Sequence, residues 1–294
     1  MIRRQGVNPT SFVIVPLGRS DAITGRTQVS TKQNAGLVVA DFDGTMADTF
    51  APSPNGLDVN EACRQVLGEM FGMPNALEQI GGLQNRAPRE LVGAALKVFP
   101  SRWQVADTFL ARHCPAGRGF FGDLLAEAFV RRKLDLLLDE IGEHEDGMWP
   151  APCDGVVSFL RAREVRGTHY AIISSGHDLF IEKCLDLWGA PRPIAMVTDD
   201  DLRALPWPPH EKVKPSGRLF ELLFDRFGAA GIAIPPRERI VYIGDDPIKD
   251  GGLAVNASVR FGWYNPNGHR HEFPSGSKVF SFSSWRELTS ELTG

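Results

Sequence analysis

Four clusters of carboxylate, hydroxyl and amine side chains stand out, and most of them directly follow apolar runs. Asp41 and Asp43 follow GLVVA and lead into Gly44 and Thr45; Ser174 and Ser175 follow HYAII. Gly244, Asp245 and Asp246 follow IVYI, with Asp250 shortly after, and Lys214 sits in KVKPSG. Carboxylates gathered without partners must take up protons or share a cation. Oxygen-only donors select a hard metal such as Mg2+, which takes few protein oxygens and leaves positions for water and a substrate phosphate. Asp41, Asp43 through its backbone carbonyl, and Asp245 are the expected donors. Asp246 scans as an alternative to Asp245. Asp250 either joins the metal or tethers Lys214 or a metal-bound water. Lys214, directly before Pro215, would balance the acidic cluster and steer a phosphate oxygen, with Lys212 as the competing choice. Ser174 and Ser175 offer hydroxyls, while Gly44 and Thr45 allow a tight turn that aims N–H groups at an anion. Such an assembly suits phosphoryl transfer, where positioning and charge neutralisation supply most of the catalysis.

The elements that must position these residues are readable from periodicity. GLVVADFDGT has the character of a strand buried on both faces. Helical spacing follows over 61–71, 89–98, 103–112 and 123–141, which predicts an all-helical segment between about residues 51 and 147. Beyond Pro150, helices at 156–163, 179–187, 218–227 and around Leu253 alternate with strands at 169–174, 194–198, 240–243 and 259–263. That alternation specifies an α/β fold, a doubly wound parallel sheet, with the ligand at the carboxyl ends of its strands. Core segments 36–50 and 148–294 therefore flank the helical domain at 51–147. Residues 1–35 read as an extension in which 12–17 could add an edge strand.

Composition narrows the function. Hydrophobic residues are 43% and charged residues 23% of the 294, which excludes a disordered or coiled-coil chain. A net charge of −4 without a long basic run argues against nucleic acid as a partner. The apolar runs are too short to span a membrane or to form a signal peptide, so the expectation is a cytoplasmic protein that binds neither membrane nor nucleic acid. Cys63, Cys114, Cys153 and Cys184 form no CxxC pair and read as reduced thiols.

Taken in order, D-x-D-G-T (Asp41 to Thr45), a Ser ending an apolar strand (Ser174), a Lys before Pro (Lys214) and G-D-x4-D (Gly244, Asp245, Asp250) resemble the haloacid dehalogenase superfamily, specifically its phosphatase-like members. The resemblance covers about residues 36–265. It implies that Asp41 is a nucleophile forming an aspartyl phosphate, and that Asp43 protonates the leaving oxygen and then activates water. Members that displace halide lack an acid at the Asp43 place. Ser174 comes 133 positions after Asp41, and Lys214 only 40 after Ser174. The helical segment is therefore a mobile cap inserted between the first two motifs, and Arg86 and Arg89 sit where related caps carry a substrate loop. The implied function is Mg2+-dependent hydrolysis of a small phosphate monoester, by a monomer or homodimer. A phosphomutase and a non-catalytic protein retaining the fold are the alternatives. His177, after the Ser174 loop, could approach substrate or cap a helix. His269 with His271 reads as solvated loop, and 131–133 as a solvated helix face.

Overall fold

Leu37–Ala40 (β1) is buried at all four positions, and its side chains divide between two hydrophobic clusters. Val38 and Ala40 pack with Tyr170, Ile172, Val241 and Ile243; Leu37 and Val39 pack with Ala171, Ile173, Ile240 and Tyr242. Period-two alternation with both faces apolar is what a central parallel strand requires. The computed structural model describes residues 35–291 apart from 84–86, 116, 118 and 144–148, so the expected edge strand at 12–17 and Arg86 lie outside the described residues.

After β1 come a short strand, Ala47–Asp48 (β2), and a run of helices: Val59–Phe71 (α1), Ala76–Gln79 (α2), Pro88–Val98 (α3), Trp103–His113 (α4) and Phe121–Glu143 (α5). These enclose their own cluster, with Val66, Met70, Phe71, Leu91, Phe109 and Phe129 among its buried members. Farther along α5, Leu137 and Ile141 leave that cluster and join Phe180 and Ile181 beside the sheet. Ala151–Pro152 (β3) then pairs antiparallel with β2.

The return to the sheet proceeds through Val156–Val165 (α6), His169–Ile173 (β4), Asp178–Leu187 (α7), Met196–Val197 (β5), Asp199–Ala204 (α8) and Arg218–Ala229 (α9). Ile240–Gly244 (β6), Lys249–Asn256 (α10), Arg260–Tyr264 (β7), Val279–Phe282 (β8) and Trp285–Glu291 (α11) complete it. The sheet has six strands in the order β5-β4-β1-β6-β7-β8, and every pairing is parallel. Helices α6, α7 and α11 cover one face, α9 and α10 the other. The chain winds outward from β1 through β4 and β5, then restarts on the other side with β6. The order reverses at β1, which opens a crevice at the carboxyl ends of its neighbours.

The predicted strand over 194–198 is shorter, because Thr198 and Asp201 form a capping box that starts α8. Strand β8 and helix α11 were not anticipated, although Ser284 and Glu287 cap the start of α11 in the same S-x-x-E manner. No helix among the described residues is long and apolar enough to cross a membrane.

Candidate active site

Asp41 is still held in the sheet, its N–H donating to Ile243 O at 2.8 Å. The chain then turns sharply: the N–H groups of Met46 and Ala47 both donate to Phe42 O, at 2.9 and 3.0 Å. Gly44 has φ +72°, and a Cβ there would stand 2.9 Å from both Asp245 Oδ2 and Phe50 Cε2. Only glycine fits that backbone and that approach. Trp285 of α11, fully buried, donates its indole N–H to Thr45 O at 2.9 Å and supports the turn from behind.

Lys214 links the strand ends. Its Nζ lies 2.7 Å from Asp41 Oδ2 and 2.9 Å from Asp250 Oδ1, with only 5% of its side chain exposed. Burial works against the ammonium, but the charges of Asp250 and Asp41 outweigh it and raise its pKa. Tyr242 donates its buried hydroxyl to Asp250 Oδ1 at 3.1 Å, and the Asp246 N–H donates to Asp250 Oδ2 at 3.1 Å. Burial nevertheless pushes the Asp250 carboxyl up to about 6, against the pull of Lys214. Burial also raises Asp41 and Asp245. Asp245 accepts the Thr45 hydroxyl at 3.0 Å. Asp41, Asp245 and Asp250 each offer an oxygen, all within 4.8 Å of one another, a donor set suited to a hard divalent cation.

Asp43 stands outside that trio. Its buried Oδ1 has no well-formed hydrogen bond, and burial pushes its carboxyl upward against the pull of the nearby Thr49 hydroxyl and the charges of Lys133 and Lys214. The loop after β4 lies against it: a Cβ on Gly176 would stand 3.2 Å from Asp43 Oδ2 and 3.3 Å from Ser174 Oγ. Ser174 is buried and its Oγ accepts the Gly176 N–H at 3.0 Å. The structure thus brings together Asp41, Asp43, Gly44, Thr45, Ser174, Lys214, Asp245 and Asp250.

Several expectations are corrected. The N–H groups of Gly44 and Thr45 close the turn, onto Ala47 O and Phe42 O, so they do not point at an anion; the two residues instead admit and orient Asp245. Ser175 is exposed. Asp246 turns away from the cluster and caps α10, accepting the N–H groups of Ile248 and Lys249 at 2.8 and 2.9 Å, which leaves Asp245 facing the site. Lys212 donates to Arg203 O at 3.4 Å rather than reaching the carboxylates. Arg89 pairs with Asp123 at 2.6 Å. His269 and His271 lie in an exposed loop, as expected, His271 with its ring against Phe273 and Trp263 and His269 with its backbone N–H donating to Asn265 Oδ1. Within 131–133, Arg131 and Arg132 pair with Glu127 and Glu69, but Lys133 is half-buried, so that face is not wholly solvated.

No protein-family model and no curated protein matches this chain in sequence. Solved structures do match it in shape. CbbY from Rhodobacter sphaeroides, in complex with phosphate, shares 18% identity at a TM-score of 0.51, over 88% of this chain and all of that one. A HAD-superfamily hydrolase of subfamily IA from Geobacter sulfurreducens shares 19% at 0.50, over 90% of this chain and all of its own. The 2-haloacid dehalogenase from Pseudomonas syringae pv. Tomato DC3000 shares 18% at 0.50, over 87% of this chain and 97% of that one. The chain has the haloacid dehalogenase fold. Within this fold, sequence reasoning overlooked Tyr242, whose hydroxyl holds Asp250, and Arg203, which joins α8 to the helical segment through Glu127 at 2.7 Å. A tyrosine inside an apolar strand was the available signal for the first; the second had none, because its partner is 76 residues away.

Proposed function

We propose that this chain is a divalent-metal-dependent phosphatase that hydrolyses a small phosphate monoester through an aspartyl phosphate on Asp41. The observation that carries the reading is the pairing of two differently placed carboxylates: Asp41 held by Lys214 at 2.7 Å, and half-buried Asp43, whose buried Oδ1 has no ammonium beside it, only the Thr49 hydroxyl nearby. The first suits a nucleophile kept ionised, the second an acid kept protonated.

In the first half-reaction an Asp41 oxygen bonds to phosphorus as the ester P–O bond breaks, and the leaving oxygen takes the proton of Asp43. In the second, water bonds to phosphorus and gives its proton to Asp43, while the bond from phosphorus to Asp41 breaks and inorganic phosphate leaves. Lys214 and Ser174 orient the phosphate oxygens. The trio Asp41, Asp245 and Asp250 fits Mg2+, with the Asp43 carbonyl as a further donor; such an ion, when bound, neutralises phosphate charge beside the carboxylates. The helical segment acts as a cap that excludes water.

CbbY has been solved with phosphate and, as a variant, with xylulose-1,5-bisphosphate, which supports phosphate esters as the substrate class. The dehalogenase neighbour has the same fold, but expelling halide needs no proton donor, so a buried acid at Asp43 favours ester cleavage. The test is phosphate release from a panel of monoesters with and without Mg2+. Mg2+-dependent release that is lost in Asp41→Asn is expected; release unaffected by that substitution would overturn the mechanism.

A further inference from the structure

The three carboxylates of the metal-facing trio are not held alike. Lys214 lies 2.7 Å from Asp41 and 2.9 Å from Asp250. Asp245 has no ion pair among the described residues. Its carboxylate is placed by the Thr45 hydroxyl, 3.0 Å from Oδ1, and by the missing side chain of Gly44, where a Cβ would stand 2.9 Å from Oδ2. Thr45 sits in the turn after β1, and Asp245 is the first residue past Gly244, the last of β6 to pair with β7. A carboxylate that rests on one hydroxyl is only as well placed as the two backbones that carry the pair.

Both of those backbones end on an indole. Trp285 of α11 donates its N–H to Thr45 O at 2.9 Å, and Trp263 of β7 donates its N–H to Asp245 O at 3.0 Å. Each carbonyl belongs to a member of the Thr45–Asp245 pair itself, so the two bonds hold that pair from either end. The indoles are themselves fixed by neighbouring rings. Trp285 is fully buried, with Phe159 at 5.2 Å and Phe282 at 5.9 Å, both edge to face. Trp263 is buried too, with Phe273 at 5.6 Å and His271 at 6.2 Å in the same geometry. Packing of this kind sets the direction of each N–H, and a buried indole that lost its acceptor would be left with an unpaired donor.

Bonds from an indole to a carbonyl occur elsewhere in the molecule. Trp149 donates to Ala51 O and Trp188 to Pro150 O, each at 2.9 Å, and both rings are buried. Those two tie down the entry and exit of the helical segment. Trp263 and Trp285 differ in that their acceptors are the two residues of one side-chain hydrogen bond, and that bond places a member of the trio.

Resting on the metal-dependent reading above, we propose that Trp263 and Trp285 are positioning residues of the metal site: together they hold Thr45 and Asp245 so that the Asp245 carboxylate faces Asp41 and Asp250, and they thereby set the affinity for a divalent cation. Trp263 acts on the backbone of Asp245 itself, and Trp285 acts on Asp245 through Thr45.

The experiment titrates the metal-free full chain with Mg2+ by calorimetry, comparing the wild type with Trp285→Phe, Trp263→Phe and, as a control for losing a buried indole bond, Trp149→Phe. All three variants should melt at a lower temperature without metal. Only Trp285→Phe and Trp263→Phe should weaken Mg2+ binding, by about 10- to 100-fold, the range for groups that orient a metal ligand. Because Trp285 acts through Thr45, adding Trp285→Phe to Thr45→Val should weaken binding by less than about twofold beyond Thr45→Val alone. Unchanged affinity in Trp285→Phe and Trp263→Phe, an equal loss in Trp149→Phe, or a fully additive loss in the double variant overturns the inference. Should a variant fail to fold, the 15N-labelled wild type decides. Trp103→Phe, Trp149→Phe, Trp188→Phe and Trp207→Phe assign four of the 6 indole N–H signals, and the other two, from Trp263 and Trp285, should shift along the Mg2+ titration. Signals that stay fixed while Mg2+ binds overturn the inference as well. Absence of Mg2+ binding by the folded wild type is the distinct result that removes the metal-dependent reading and this inference with it.

Discussion

Asp41 and Asp43 are two positions apart, yet one is paired with an ammonium and the other is not, so their substitutions should differ. Asp41→Asn should fold and bind Mg2+ weakly, with turnover below detection, because no other carboxylate can take over the bond to phosphorus. Asp43→Asn should lower kcat by about 10²- to 10⁴-fold with KM little changed, the usual range for losing a general acid and base. Steady-state kinetics on one hydrolysed ester checks both; a larger effect on KM than on kcat for Asp43→Asn would contradict its role. Asp250 carries a pH prediction. Its folded pKa of about 6 lies above that of an unfolded aspartate, about 4, so the folded metal-free protein holds a proton that the unfolded chain has lost. Its effect on stability therefore becomes more unfavourable as pH rises from about 4 to about 6. A cation needs the ionised form, so the rise in melting temperature on adding Mg2+ should be small near pH 5 and grow through about pH 6. A shift independent of pH would remove Asp250 from the metal site.

At the scale of elements, the carboxyl end of β6 places the metal-facing carboxylates through close backbone approach. A Cβ on Gly244 would lie 2.3 Å from Asp250 Cγ, in a place where Asp250 is fixed by Lys214, Tyr242 and the Asp246 N–H. Gly244→Ala should therefore cost about 1–3 kcal/mol by overpacking and also lower kcat, since Asp250 must move. Denaturant unfolding together with kcat checks this; a stable, fully active variant would show that the approach is slack. Neighbouring Asp246 has a separate task, capping α10, which orients the helix that carries Asp250.

For the whole molecule, the bridge between helical segment and sheet runs through Arg203. It joins Glu127 of α5 to Asp199 and Asp200 of α8, and Asp200 in turn accepts the Asp178 N–H at 2.9 Å, at the start of α7. Because both ends of the Arg203–Glu127 pair are about one-third exposed, a double-mutant cycle with Glu127→Gln and Arg203→Met should give a stability coupling of only about 0.2–1 kcal/mol. The larger effect should be on KM if, as proposed, the segment this pair positions acts as the cap. A coupling near zero in both stability and KM would show that the bridge does not hold the two layers together.

How much of this was readable in advance follows from what is local. The buried strands, the amphipathic helices and the residues at the strand ends are set by periodicity and by turn chemistry within a few positions, so Asp41, Asp43, Ser174, Lys214 and Asp250 could be named from the chain alone. The fold class followed, because alternating strands and helices admit few parallel arrangements. Other questions depended on which atoms meet across long separations. Asp245 and Asp246 are equivalent in sequence, and only packing against Thr45, 200 positions away, turns one toward the site while the other caps a helix. Lys133 reads as an ordinary helix-surface lysine until Leu137 seats that face of α5 beside α7. Composition and spacing determine which groups are present and the order in which strands deliver them. Burial and unpaired charge are properties of the assembled neighbourhood, and only the tertiary structure decides them.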